Sequence, residues 1–338
     1  MLRLTHTCMF LFMLAALSAV TANAQSTVTH AFLWSSTTGM QDLGSIGGGS
    51  SYANGINNAG QVVGYYESST TYRAFLWKAN SGMQDLGTLG GDFAIASGIN
   101  SSGEVVGSST IASGDVHAFV WTATSGMRDL GDTLRGTFSS AVAFNELGDV
   151  TGTASELNNI RYVAFLETPP QKWMKALGTL GSPYSYGYGI NAAATIVGSS
   201  PLNKKLTSYH AFIRRVGSGL ADIGTLGGSD STALGINQYE QVVGWSALSG
   251  GSFPQAFLWT ATSGMQALAT LGGPSSSAVS INNNSQIVGF SDLSQAVTHA
   301  ALWTAPNQIR DLGTLGGSYA TASSINDDGQ VVGWSTSQ

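Results

Sequence analysis

The side chains able to do chemistry recur in this sequence at fixed positions. His30, His117, His210 and His299 each open a His-Ala phrase, and Asp42, Asp85, Asp129, Asp222 and Asp311 each precede a Leu-Gly or Ile-Gly pair. Imidazoles and carboxylates serve as metal ligands and proton-transfer groups. One copy per repeat, however, spreads them over separate elements that cannot converge on one ion. Hydrogen-bonded, packed histidines and turn-bonding aspartates are the expectation, with no metal site and no cofactor. Paired carboxylates for glycoside chemistry must lie roughly 5 to 9.5 Å apart, a distance nothing in the repeat enforces. The sequence holds no nucleophile elbow, zinc-binding His-Glu helix or phosphate-binding loop, so no catalytic residue is assigned. The run "NDDG" at Asn326 to Gly329 lacks calcium-loop ligand spacing and reads as a plain turn.

Binding groups are easier to find. Seven basic residues, Arg161, Lys172, Lys175, Lys204, Lys205, Arg214 and Arg215, fall within one stretch. Arg161, Lys204 and Lys205 are candidate contacts to an anionic ligand, on loops expected to emerge opposite those of Lys172 and Arg215. Four residues after the Leu or Ile of each "TLGG"-like phrase stand Ser50, Phe93, Phe138, Tyr184, Asp230, Ser275 and Tyr319, and Tyr186 and Tyr188 follow in "PYSYGYG". Aromatic faces stack on the CH faces of sugars while tyrosine hydroxyls bond sugar hydroxyls. Phe93, Phe138, Tyr184, Tyr186, Asp230 and Tyr319 are therefore candidate ligand-binding residues. The competing expectation is that these rings fill gaps between structural units.

A repeat sets these positions. Ala31, Ala74, Ala118, Ala164, Ala211, Ala256 and Ala300 are spaced by 43, 44, 46, 47, 45 and 44 residues, so seven units begin near 30, 73, 117, 163, 210, 255 and 299. Each unit reads "HAFLW", "GMQDLGTLGG", "SxAxGIN" and "GQVVGxS", four short apolar phrases separated by Gly, Asn, Ser or Pro. That is a strand signature four times per unit. Seven such units predict an all-β, seven-bladed β-propeller of four-stranded blades.

Small residues at Ala53 and Gly55, and at the equivalent places in every unit, make "SxAxGIN" the innermost strand, where blades converge. With "GMQDL" outermost, each blade starts in mid-repeat. The N-terminal hairpin from Ala31 to Leu43 must then complete the blade begun by Ser323 to Val332, closing the ring by pairing of the terminal hairpins. Loops entering the innermost strand share one face with the variable loops, so the aromatic positions are expected around the mouth of the central funnel. Asn57 and its six equivalents should close tight turns whose last residue has positive φ. That residue is Ala194, Glu240 or Ser285 in three units, which should be strained.

Composition sets the compartment. An Arg followed by an apolar run from Cys8 to Val20 and "ANA" at 22 to 24 reads as a cleaved signal peptide, residues 1–24, leaving one propeller domain over 25–338. Cys8, the single cysteine, departs with it, so stability must come from packing. Charged residues are 9% of the chain against roughly 25% in typical soluble domains. Without Arg3, 12 Lys and Arg face 19 Asp and Glu, a net of about −7. That balance disfavours nucleic acid and anionic membranes, and no later segment reaches the roughly 20 apolar residues of a spanning helix. An extracellular or periplasmic protein with a polysaccharide or protein partner, and no membrane insertion, is expected.

The composite phrase "HAFLW…GMQDLGTLGG…GIN..GQVVG" resembles the probable extracellular repeat family named HAF for its His-Ala-Phe signature, over residues 30 to 338. The resemblance implies bacterial export and a repeated β structure, and assigns no activity or binding residue. Units four and five depart from it, with Glu167 and Arg214 in place of Trp and Ala176 in place of Asp. The expected function is a secreted, non-enzymatic binding or surface-interaction propeller recognising a glycan or protein at its funnel face. The alternative is a propeller enzyme, such as a polysaccharide lyase or lactonase, whose site would gather Glu67, Asp92, Asp115, Glu156, Asp230 and Asp292 from several blades. The repeat carries no long insertion of the kind enzymatic propellers use, which favours binding.

Overall fold

The computed structural model describes residues 28–337 apart from 70, 132, 133, 157, 158, 171, 172 and 252. The proposed leader, residues 1–24, lies outside the described residues. The strands form seven antiparallel blades of four. Blade 1 runs outward from the axis through Ser51–Ile56, Val62–Ser68, Thr71–Lys78 and Gly82–Asp85, and blades 2 to 6 repeat the plan from innermost strands beginning at Gly90, Ser139, Tyr186, Gly227 and Ser276.

Blade 7 takes strands Gly316–Ile325 and Val331–Ser337 from one end of the chain and Thr29–Ser35 and Gly39–Asp42 from the other. The two parts pair antiparallel from Thr29 opposite Thr336 to Trp34 opposite Val331. The expected closure is therefore built from a continuous backbone ladder.

Each of the seven innermost strands carries a β-bulge, between Ala53 and Gly55 in blade 1 and at the matching pair elsewhere. The bulge lets neighbouring strands approach closely. A Cβ on Gly55 would lie 3.4 Å from the Gly98 Cα of blade 2, and one on Gly235 would lie 3.2 Å from the Ser280 Cα of blade 6. Beside each bulge an inner-strand carbonyl points at the second strand, and a Cβ on Gly64 would sit 1.9 Å from Tyr52 O. The same clash recurs at 2.0 Å between Gly333 and Thr321 O. Close approach, not positive φ, therefore explains the invariable Gly of "VVG".

Two polar stitches join successive blades. The first is asparagine to asparagine: Asn57 Nδ2 donates to Asn100 O at 2.9 Å, and Asn145, Asn191, Asn237 and Asn282 donate likewise to the next blade's Asn. Asn326 donates to Asn57 O at 3.0 Å and closes the circle. Each Asn also organises its own turn, as Asn57 Oδ1 accepts the N–H groups of Ala59 and Gln61. In the second stitch, Ala31 N donates at 2.9 Å to Ser51 Oγ, whose hydroxyl in turn donates to Gly44 O. The same serine bridge recurs at Ser139, Ser185, Ser231 and Ser276. Apolar packing fills the rest of each junction. Phe32, Phe75, Phe119, Phe165, Phe212 and Phe257 of the third strands are fully buried, each contributing roughly 1.5–3 kcal/mol.

Ala194, Glu240 and Ser285 do adopt positive φ, at 54°, 56° and 60°, where other turns use Gly60, Gly103, Gly148 and Gly329. Relief of that strain should make Ala194→Gly more stable by up to about 1 kcal/mol in a thermal melt, since αL costs a non-glycine residue roughly that much. Asn326→Ala, in contrast, strips buried partners from the closing junction and should cost about 2–4 kcal/mol. An unchanged melting temperature for the latter would remove the asparagine circle as a stabilising element.

Candidate functional site

The third and outermost strands bring the histidines and motif aspartates together. Nδ1 of His30, His117, His210 and His299 lies 2.7, 2.9, 2.8 and 2.8 Å from the carboxylates of Asp42, Asp129, Asp222 and Asp311, and in blade 1 Arg73 meets Asp85 at 3.1 Å. Each aspartate also accepts the N–H two residues on, as Asp42 does from Gly44 at 2.7 Å. These pairs pin the outer strand of a blade and its turn. Their constant separation of twelve residues was the signal available in the sequence. Among the described residues no group of three or more His, Cys, Asp or Glu side chains is placed to hold a metal ion. The "NDDG" run is another stitch, in which Asp327 Oδ1 accepts Asn283 N at 2.9 Å and Asp327 N donates to Asn58 Oδ1 at 2.9 Å.

Of the loop-face acids, Asp115 and Asp292 are engaged within their own loops and Asp230 across the junction between blades 4 and 5. Asp230 accepts Tyr209 N at 2.8 Å, Asp115 accepts Ser113 Oγ at 3.0 Å, and Asp292 accepts Thr298 Oγ1 at 2.7 Å. Burial pushes the Asp292 carboxyl above the ordinary range, against the lowering effect of Thr298 and the Ser275 N–H.

The aromatic candidates lie on the expected face but not around the channel mouth. Phe138, Tyr184 and Tyr319 form parallel bridges with Val116, Tyr162 and Thr298 at the start of the preceding blade's third strand. Phe93 instead meets Tyr72 of blade 1 ring edge to face, with centroids 6.5 Å apart. The loop crosses from the rim to the axis over the crevice between blades, and the fourth residue after Leu falls midway along it. Phe93, Phe138, Tyr184, Tyr186 and Tyr319 are all partly exposed.

Two groups of rings result. Tyr319, Trp334, Tyr52, Tyr65, Tyr72 and Phe93 form a continuous arc over blades 7, 1 and 2, with successive centroids 5.0, 5.5, 4.7, 5.3 and 6.5 Å apart. Burial raises the hydroxyl pKa of Tyr52, Tyr65 and Tyr319, with Glu67 adding to the first two and Asp292 to the third, so these hydroxyls remain neutral. The second group is Phe138, Tyr162 and Tyr184 on blades 3 and 4, with centroid separations of 5.8 and 6.4 Å. Sequence reasoning missed Tyr52, Tyr65, Tyr72, Tyr162 and Trp334. The residue after "VVG", Tyr65, Trp245, Phe290 or Trp334 in four blades, was the readable sign.

Arg215 pairs with Glu240 at 2.7 Å on the hairpin face, and Lys172 lies outside the described residues. Arg161 and Lys204 together line a cleft of about 400 Å³ between blades 3 and 4, with Glu156 and the segment from Gly178 to Pro183. Lys205 is exposed next to Lys204. Arg214 and Glu167, at the motif Trp position, are buried, with Arg214 Nε and Nη1 and Glu167 Oε2 lacking hydrogen-bond partners. Burial raises the Glu167 pKa, against the lowering influence of Arg128.

No family model matches the sequence, and no curated protein matches it. Solved structures match in shape. The β-propeller domain of the Trilobed protease from Pyrococcus furiosus superposes with a TM-score of 0.57 at 8% identity, covering 82% of this chain and 88% of that one. A protein assigned as TolB from Agrobacterium tumefaciens gives 0.53 at 13% identity over 93% and 99%. The acylaminoacyl peptidase from Pyrococcus horikoshii gives 0.55 at 10% identity over 83% of this chain and 48% of that chain, so this chain spans about half of the peptidase. At these identities the likeness shows the β-propeller fold alone. Among the described residues no helix is long and apolar enough to cross a membrane.

The raised Asp292 pKa has a defined consequence. Folding favours the neutral acid, so its contribution is full below the ordinary carboxyl range and is lost as pH rises through the raised value. Asp292→Asn keeps an acceptor without the charge, and its melting temperature should gain on that of the wild type as pH rises from 3 to 7. A gap that stays constant or narrows with pH would show that Asp292 ionises as freely in the fold as in the unfolded chain.

Proposed function

We propose that this chain is an exported, non-enzymatic propeller of the His-Ala-Phe repeat type that binds an extracellular polysaccharide on the face carrying its variable loops. One observation carries the reading: the arc of six aromatic rings from Tyr319 to Phe93 spans three blades on that face. Tyr65 is buried and the other five rings are partly exposed, so an extended ligand running across the blades meets ring edges and faces, with neutral tyrosine hydroxyls able to bond sugar hydroxyls. The charge-poor, amide- and hydroxyl-rich composition supports a polar, uncharged recognition surface. Asp115 and Asp292 bond within their own loops and Asp230 bonds across to the third strand of blade 4, so these three acids serve structure, which supports binding over the lyase or lactonase alternative.

A glycan array probed with the mature protein, followed by titration of the best polysaccharide, tests the reading. Phe93→Ala and Tyr319→Ala should each weaken binding by about tenfold, equivalent to about 1.4 kcal/mol, with little change in melting temperature. Rings that only fill crevices would instead cost roughly 3–5 kcal/mol of stability when truncated and leave affinity alone. Absence of any saccharide binding, or turnover of a bound saccharide, would overturn the proposal.

A further inference from the structure

The loop face is polarised in a way that the aromatic arc does not use. Among the described loops of that face, Arg135, Lys204 and Lys205 are the only basic residues, and all belong to blades 3 and 4. Arg161 opens the third strand of blade 3 at the same rim. Its six equivalents, three residues ahead of the motif Ala, are Val28, Thr71, Asp115, Ser208, Phe253 and Val297. In a chain of net charge −6, a local concentration of cations is a departure from the repeat and not a consequence of composition.

Geometry makes this concentration a site. Arg161 and Lys204 come from different blades and line one cleft of about 400 Å³. Arg73 and Arg215 have carboxylate partners, whereas among the described residues neither Arg161 nor Lys204 is ion-paired, although Glu156 lines the same cleft. The guanidinium presents a fork suited to a planar carboxylate or a sulfate, and the ammonium adds a point charge. Tyr162 follows Arg161 in the strand and so points to the other sheet face, and its ring pairs with that of Tyr184 at 6.4 Å with planes 21° apart; the cleft itself is lined by Arg161, Lys204 and small residues from Ala176 to Pro183.

We infer that the cleft between blades 3 and 4 binds the anionic group of an acidic polysaccharide, with Arg161 and Lys204 holding the carboxylate or sulfate. This rests on the glycan-binding reading and names its ligand class. Titration with oligogalacturonate, with the same oligosaccharide after reduction of its carboxyls to alcohols, and with dextran sulfate against dextran separates the sources of the anion. Binding should favour a charged probe over its neutral counterpart and weaken with added salt. Arg161→Ala and Lys204→Ala, both at exposed positions, should each reduce that preference roughly tenfold, the scale of one charge-assisted hydrogen bond, while melting temperature and affinity for the neutral probe hold. Arg161→Lys should recover part of the loss. Equal binding of charged and neutral probes, or charged binding indifferent to both alanine variants, overturns this inference and leaves the glycan reading standing. If no saccharide binds but polyglutamate does, both fall.

Discussion

At six of the seven junctions an asparagine Nδ2 donates to the backbone carbonyl of the corresponding asparagine in the next blade, and the last of these bonds joins Asn326 to Asn57 across the ends of the chain. This contact requires seven innermost strands to approach almost backbone to backbone. Every other motif choice answers to that requirement. The bulge turns the strand inward, Ala and Gly clear the space between blades, and the Gly of the second strand yields to the carbonyl the bulge displaces. Serine then satisfies the N–H of the neighbouring Ala, which must itself be small to admit it. An oligomeric ring built from separate copies would need side-chain complementarity at each seam; here the seam chemistry is mostly backbone, so the sequence between seams is free to vary.

That freedom is distributed unequally between the two faces. The hairpin face is committed to structure, since its turns hold the asparagine circle, and substitutes such as Glu240 are drawn into pairing with Arg215. The opposite face carries the loops from the second to the third strand, whose lengths account for most of the variation in repeat spacing from 43 to 47 residues. Those loops can change without disturbing a seam, which is the arrangement by which rigid scaffolds acquire binding surfaces. With no cysteine beyond Cys8 and few charges, stability comes from buried phenylalanines and satisfied backbone. Disulfides are not called upon, and the exposed pairs that pin the outer strands contribute little each.

The fold was legible because its period is long, regular and tied to strand chemistry: small residues every repeat mark the axis, and the outermost position of "GMQDL" dictates that two strands come from each end. The site was less legible, for specific reasons. Phe93 and Tyr319 lie at the start of long innermost strands, and Phe138 and Tyr184 in the segments that lead into shorter ones, so their distance from the axis depends on where the bridge to the previous blade forms. Tyr52 and Trp334 read as ordinary alternating strand residues until neighbouring blades place them within 5.5 Å. Arg161 and Lys204 are separated by almost a full repeat, and only the stacking of blade 4 on blade 3 makes them neighbours. The His–Asp pairs were hidden by treating each repeat position alone, although strand and hairpin register bring residues twelve apart face to face.

Blades 3 and 4 break the local rules most often. Their outermost strands shrink to Lys175–Ala176 and Ala221–Asp222, and the motif Trp becomes Glu167 and Arg214, both buried with polar atoms unpartnered. A buried charge without a partner costs several kcal/mol relative to a packed aromatic ring. A ring closed by five regular blades and a continuous terminal ladder can tolerate such a sector, because each junction is stitched independently of the others. Natural sequences depart from their own structural rules chiefly where function is exerted. The same two blades carry Arg135, Arg161, Lys204 and Lys205 together with the Phe138–Tyr162–Tyr184 cluster, so the sector where regularity is given up is the one with the most distinctive surface. The regular blades hold the ring rigid, and that rigidity lets two irregular blades present a cleft of fixed shape.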